Sequence, residues 1–175
     1  MSITKLNNLS ISAVTALPSG VGGKVLQVVS THKTDDFTTS SSASFVDVTG
    51  LSASITPSSA SNKILIMYSI TTCNDTSSQG THIRLMRDST EIAPARSVAN
   101  YTSSLFTHAR SDNNLSTQTS FEFLDSPSTT SATTYKIQVK AQANTATVNR
   151  SGSDTASQTY SHKSSSSITV MEIAA

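Results

Sequence analysis

Tyr135-Lys136-Ile137-Gln138-Val139-Lys140-Ala141 swaps apolar and polar residues at every step. Successive side chains leave a pleated strand on opposite faces, so a period of two marks a strand with one buried and one solvated face. Working outward, residues 63–70 show the strongest pattern. Ile64, Ile66, Tyr68 and Ile70 share one face while Leu65 and Met67 share the other, which predicts a central strand covered on both sides. The closing residues 167–173 place Ile168 and Val170 on one face, and Met171 and Ile173 on the other. A last strand apolar on both sides needs a second burial partner, either a sheet edge or a neighbouring subunit.

Shorter strands are expected at 25–29, 45–48, 51–55, 83–87, 91–93, 103–109, 119–124 and 145–149, with a loop over 31–44. Turn signals separate them: Thr49-Gly50, Pro57-Ser58-Ser59, Asp88-Ser89-Thr90 and Asp125-Ser126-Pro127-Ser128. No convincing helical stretch interrupts the series. The chain therefore reads as all-β, a two-sheet antiparallel jelly-roll sandwich over residues 24–175.

The composition narrows function. About a third of the 175 residues are Ser or Thr, charged residues make up 13%, and the net charge is +1. Scattered Lys and Arg do not make the basic patch that phosphate neutralisation requires, so no nucleic-acid partner is expected. No run approaches membrane-spanning length, and membrane insertion is not expected. A single cysteine, Cys73, excludes an intrachain disulfide framework. With no Trp and 5% aromatics the core must be small and aliphatic. Such a core is thin for a lone domain, so burial between copies is attractive.

Residues 1–23 differ from the body. Ile3, Leu6, Leu9, Ile11, Val14 and Leu17 recur every two or three residues, fitting neither a helix nor strict alternation. Pro18, Gly20, Gly22 and Gly23 then form a hinge. This stretch is expected to be an arm that docks onto another protein. Met171 and Ile173, with Tyr68, are the expected subunit interface.

Candidates for chemistry are few. His32 with Asp35 and Asp36, and Ser111-Asp112-Asn113-Asn114, carry cation-friendly groups but lack the spacing of a known metal motif. There is no Gly-x-Ser-x-Gly elbow, and Gly20-Val21-Gly22-Gly23 precedes a strand rather than a helix, the wrong setting for a phosphate cradle. No cofactor and no enzymatic activity are expected.

Several runs carry a resemblance. Lys24-Val25-Leu26-Gln27-Val28-Val29-Ser30, Ser44-Phe45-Val46-Asp47-Val48-Thr49-Gly50-Leu51, Leu124-Asp125-Ser126-Pro127 and the closing Ile168-Thr169-Val170-Met171-Glu172-Ile173-Ala174-Ala175 are among them. With the leader's Thr4-Lys5-Leu6-Asn7 and Ala16-Leu17-Pro18-Ser19-Gly20, the chain resembles small structural proteins of marine tailed phages. The body also resembles trimeric jelly rolls of the C1q and tumour-necrosis-factor type, although Met67-Tyr68-Ser69 stands where their aromatic Gly-x-Tyr-x-Phe signature would fall. The first resemblance implies a virion component, and the second a homotrimer. Together with the arm, they give the expectation of a particle-surface protein, made in the host cytoplasm, that contacts other virion proteins of the capsid or tail through residues 1–23. Capsid decoration is the first reading. The second is a tail-fibre or receptor-binding tip whose loops at 74–81 and 150–165 touch host surface glycans, and a carbohydrate-binding module is a distant third.

Overall fold

The computed structural model describes residues 24–94, 104, 106–109, 115–154 and 161–175. The expected arm and hinge (Ile3 through Gly23) and the Asp112-Asn113-Asn114 cluster lie outside the described residues.

Eleven strands and no helix occur among the described residues. They are β1 (Val25–Lys33), β2 (Phe37–Thr39), β3 (Val46–Ile55), β4 (Lys63–Asn74), β5 (Gly80–Arg87), β6 (Thr90–Ile92), β7 (Phe106–Ala109), β8 (Thr117–Asp125), β9 (Thr133–Ala141), β10 (Ala146–Val148) and β11 (Ser166–Ile173). One sheet runs β1-β11-β4-β8, with short β10 and β2 continuing beside the last residues of β4. The other runs β3-β9-β5, and β6 and β7 share the far edge of β5. Every strand pairing is antiparallel. From β1 to β3, β4, β5, β8, β9 and β11 the chain changes sheet at each step, which is the winding of a jelly roll.

The core lies between the sheets and is built as the alternation requires. Ile64, Ile66 and Ile70 from β4, Ile168 and Val170 from β11, and Tyr135, Ile137 and Val139 from β9 are buried together with Ile83 and Leu85 from β5. β-Branched residues dominate, since they pack well on a pleated surface.

Several boundaries depart from expectation. Residues 45–48 and 51–55 form one strand, β3, rather than two. Its register with β9 slips between Asp47 and Ser52, where Gly50 adopts φ +81°. The residue that reads as a turn instead supplies the left-handed conformation of a bulge. β1 continues to Lys33, and the expected loop contains β2. Three residues are too short to show a period; β2 exists because β10 pairs with it. β4 runs on to Asn74 for the same reason, since β10 pairs with Thr72, Cys73 and Asn74.

Two polar clasps close the ends of the sandwich. Asp125, at the end of β8, accepts two hydrogen bonds from Arg87 Nη1 at 2.9 and 2.8 Å and one from Tyr135 Oη at 2.7 Å. Burial, then the Asp125 hydrogen bond, push the Tyr135 hydroxyl well above its ordinary pKa, so it stays a donor. At the other clasp Asn149, fully buried at φ +64°, donates from Nδ2 to the carbonyls of Lys33 and Asp35 and accepts from Ser166 Oγ at 2.6 Å.

Candidate interaction surface

The outer face of the β1-β11-β4-β8 sheet is the most distinctive surface among the described residues. Register places Val28 opposite Met171, Met171 opposite Leu65, and Leu65 opposite Leu124. These four residues form one apolar row that crosses four strands. Their neighbours along each chain, Val29, Val170, Ile64, Ile66 and Phe123, point into the core, so alternation sends the row outward. Val28 is 54% exposed and Leu124 47% exposed, at the two ends of the row, while Met171 and Leu65 between them are half-buried. Val25 and Leu26, 51% and 48% exposed, extend the apolar area along β1, and Ile173 adjoins it on β11. Contiguous apolar surface of this kind marks an interaction site far more often than scattered single residues do.

Beyond the row the face turns polar. The next register rank holds Ser30, Thr169, Met67 and Glu122, and the one after it His32, Ser167, Ser69 and Ser120. The small hydroxyl residues leave a shallow open groove of about 580 Å³ over β8, β4 and β11. Its hydroxyls are partly spent on one another: Gln118 Nε2 donates to Ser69 Oγ at 2.7 Å, and Ser120 Oγ to the same atom at 3.2 Å.

One buried carboxylate holds this sheet's C-terminal strand in place. Glu172, fully buried, accepts from the Ser58 amide and hydroxyl, each at 2.7 Å, and from Asn62 Nδ2 at 2.6 Å. Its second oxygen accepts from Gln27 Nε2 at 2.6 Å. Burial alone would raise its pKa, but the donors of Asn62, Gln27 and Ser58 outweigh it and hold the carboxyl at about 2. Neutral donors thus hold the charge, with no cationic partner among the described residues. It ties β11 to β1 and to the turn before β4, which fixes the register of Met171 between its neighbours.

On the opposite outer face, that of the β3-β9-β5 sheet, described charged and amide side chains pair with one another. Arg84 stacks over the Phe45 ring at 4.2 Å, donates from Nε to Gln138 at 2.9 Å and pairs with Glu91 at 3.2 Å. Asp47 accepts from Lys136 Nζ at 2.8 Å and from Gln138 Nε2 at 2.6 Å.

The residues singled out from sequence distribute as follows. Met171 lies within the apolar row on the outer face, and Ile173 beside it. Tyr68 does not join them: it sits on the opposite side of β4, buried against Phe121 with ring centroids 6.0 Å apart. The even spacing that groups Tyr68 with Ile64 and Ile66 is what turns it inward. The two-faced pattern of β4 predicts a second covering over Leu65 and Met67, yet both are half-exposed. His32 faces outward from β1, whereas Asp35 pairs with buried Lys33 at 2.7 Å and Asp36 pairs with Lys163. No group of three or more His, Cys, Asp or Glu converges among the described residues. Cys73 is buried, its thiol facing the carbonyls of Asn74 and Leu115. Val28, Leu65 and Leu124 escape a reading by sequence because their grouping depends on which strands pair.

No family model and no curated protein matches this chain. Among solved structures it is similar to particles of infectious bursal disease virus. A T=1 particle derived from that virus matches at 10% identity and TM-score 0.45, over 85% of this chain and 36% of the other. The Gx strain matches at 16% identity and TM-score 0.39, over 85% and 42% of the respective chains. The VP2 subviral particle matches at 14% identity and TM-score 0.36, over 85% and 38%. The chain thus spans well under half the length of these neighbours. Its jelly-roll description rests on the strand order itself.

Proposed function

We propose that this chain is a non-enzymatic structural protein of a virion, a trimer that decorates the capsid surface and attaches through residues 1–23. The observation that carries the reading is the apolar row, which no described residue covers at its ends, on the outer face of the sheet that holds the C-terminal strand. A body whose core is complete still presents Val28, Met171, Leu65, Leu124 and Ile173 to a partner, which suits a module built to assemble. The acidic groups Asp35, Asp36, Asp47, Asp125, Asp154 and Glu172 are engaged in pairs and clasps that hold the fold. Jelly rolls serve both viral capsid and lectin domains, so the fold is compatible with the role without specifying it. The sequence resemblance to structural proteins of marine tailed phages supplies the virion assignment. Three linked arms would multiply a weak single attachment through avidity.

The test is deletion of residues 2–20. The shortened protein should remain a folded trimer, by circular dichroism and light scattering, and should no longer co-sediment with particles. A shortened protein that still binds particles would overturn the attachment role of the arm. Antibody label spread over the head supports decoration; label confined to the tail tip replaces it with receptor binding.

A further inference from the structure

We infer that β8 pairs edge to edge with β8 of a second copy, antiparallel about a twofold axis, so that the β1-β11-β4-β8 sheet continues from one copy into the next. The contact is distinct from the trimer proposed above and joins one trimer to a neighbour. A strand at the edge of a sheet presents unpaired amides and carbonyls, and proteins protect such edges by shortness, bulges, Lys or Pro, or by covering them. Among the described strands the other edges carry such devices. β2, β6 and β7 have only three or four residues. β3 breaks register at its Gly50 bulge. β1 is irregular between Val25 and Gln27, and its side chains stitch that margin to the other sheet. Thr31 Oγ1 donates to the Ser52 carbonyl at 2.7 Å, and Gln27 Nε2 to the Thr56 carbonyl at 2.8 Å. β8 has none of these. It runs nine residues in unbroken register with β4, contains no Lys, Arg or Pro, and has no described strand along its other side.

The residues of β8 suit a second β8. The antiparallel register that pairs all nine residues places Phe121 on the axis, opposite Phe121 of the second copy. Glu122 then faces Ser120, Leu124 faces Gln118 and Phe123 faces Thr119. Outward residues meet outward residues and inward meet inward, as one continuous pleat requires. Aromatic pairs support a ladder, and like charges directly opposite work against it. In this register the carboxylates avoid one another: Glu122 meets a hydroxyl, and Asp125, held by Arg87, meets Thr117. Moving the axis one residue, to Glu122, sets the two carboxylates face to face. Phe121 and Phe123, which are only partly buried against the core, gain cover along the same margin.

The experiment uses full-length protein carrying Ser120→Cys or Glu122→Cys in a Cys73→Ser background, mildly oxidised and run on denaturing gels. A mixture of the two variants should give covalent dimers, because residues directly opposite have Cβ atoms about 5 Å apart. Either variant alone should give several-fold less, because the same position in two copies lies on the diagonal, about 7–8 Å apart. No covalent dimer from the mixture, or equal yields from all three samples, overturns the pairing. Dimers that form only after residues 2–20 are removed give the edge to the leader and overturn it too. Light scattering on the same samples reports the trimer separately. A trimer without cross-linking overturns only the edge contact, and cross-linked dimers without a trimer support the edge contact while removing the trimer. As a second measurement, with Cys73 intact, Ser120→Glu sets like charges on both sides of the axis and should weaken this association about tenfold by sedimentation. Ser120→Lys faces Glu122 with a cation and should not weaken it. Equal effects from the two substitutions would contradict the register.

Discussion

On the outer face of the β3-β9-β5 sheet, Arg84, Gln138, Asp47 and Lys136 satisfy one another in a hydrogen-bonded lattice. On the outer face of the β1-β11-β4-β8 sheet, Val28, Met171, Leu65 and Leu124 line up with no described residue of their own subunit shielding the row's ends. Both faces arise from the same alternating strands, so periodicity alone does not distinguish them. What differs is the chemistry of the residue sent outward. A charged or amide side chain finds a cross-strand partner within its own sheet and finishes the surface. An apolar one gains nothing from its neighbours that water does not oppose, and it remains available to a second surface.

The sharpest way to break this comparison is to truncate adjacent residues of β4. Ile66→Ala removes a fully buried side chain and should cost about 2–5 kcal/mol in a denaturant titration. Leu65→Ala, one step along and outward, should leave subunit unfolding within about 1 kcal/mol of the parent while weakening association. Equal losses of subunit stability from both would mean that the outer face is already covered within the subunit.

A second test concerns the Glu172 clasp, whose folded pKa of about 2 lies below its ordinary 4.5. A depressed carboxyl contributes stability that is fully present above pH 4.5 and is lost as pH falls toward 2. Parent and Glu172→Gln proteins, compared by urea midpoint at pH 7, 4 and 3, should therefore differ most at pH 7 and converge on acidification. A gap that widens in acid would contradict the clasp. The effect should fall between those of Ile66 and the surface lattice, because several neutral donors lose a charged partner at once.

The smallest change is expected on the finished face. Asp47→Ala removes one half-exposed partner of Lys136 and should shift stability by about 0–1 kcal/mol, more at low salt than at high. A loss comparable to that of Ile66→Ala would show that this lattice carries the fold rather than merely completing its surface.

Much of the architecture was legible beforehand because burial in a sheet is written with period two. The strands around Ile64, Ile137 and Ile168 could be read from their own residues. Gly50 and Phe37 could not. Gly50 looks like a turn, yet pairing with β9 on both sides carries the strand through it as a bulge. Phe37–Thr39 becomes a strand only because β10 lies alongside. Tyr68 shows the limit in the other direction: the pattern sets it on one face with Ile64, Ile66 and Ile70, but a pattern does not say which face is the core.

By itself, then, the order of residues determined an all-β chain, the two faces of each long strand, and an apolar excess on β4 and β11 that a single core does not absorb. Only the tertiary structure decided that Val28, Met171, Leu65 and Leu124 share one row, since they come from four strands spread between residue 28 and residue 171 of the chain. The physical reason is that alternation is a local property of the backbone, whereas a surface is made by register, and register is set between strands distant in sequence.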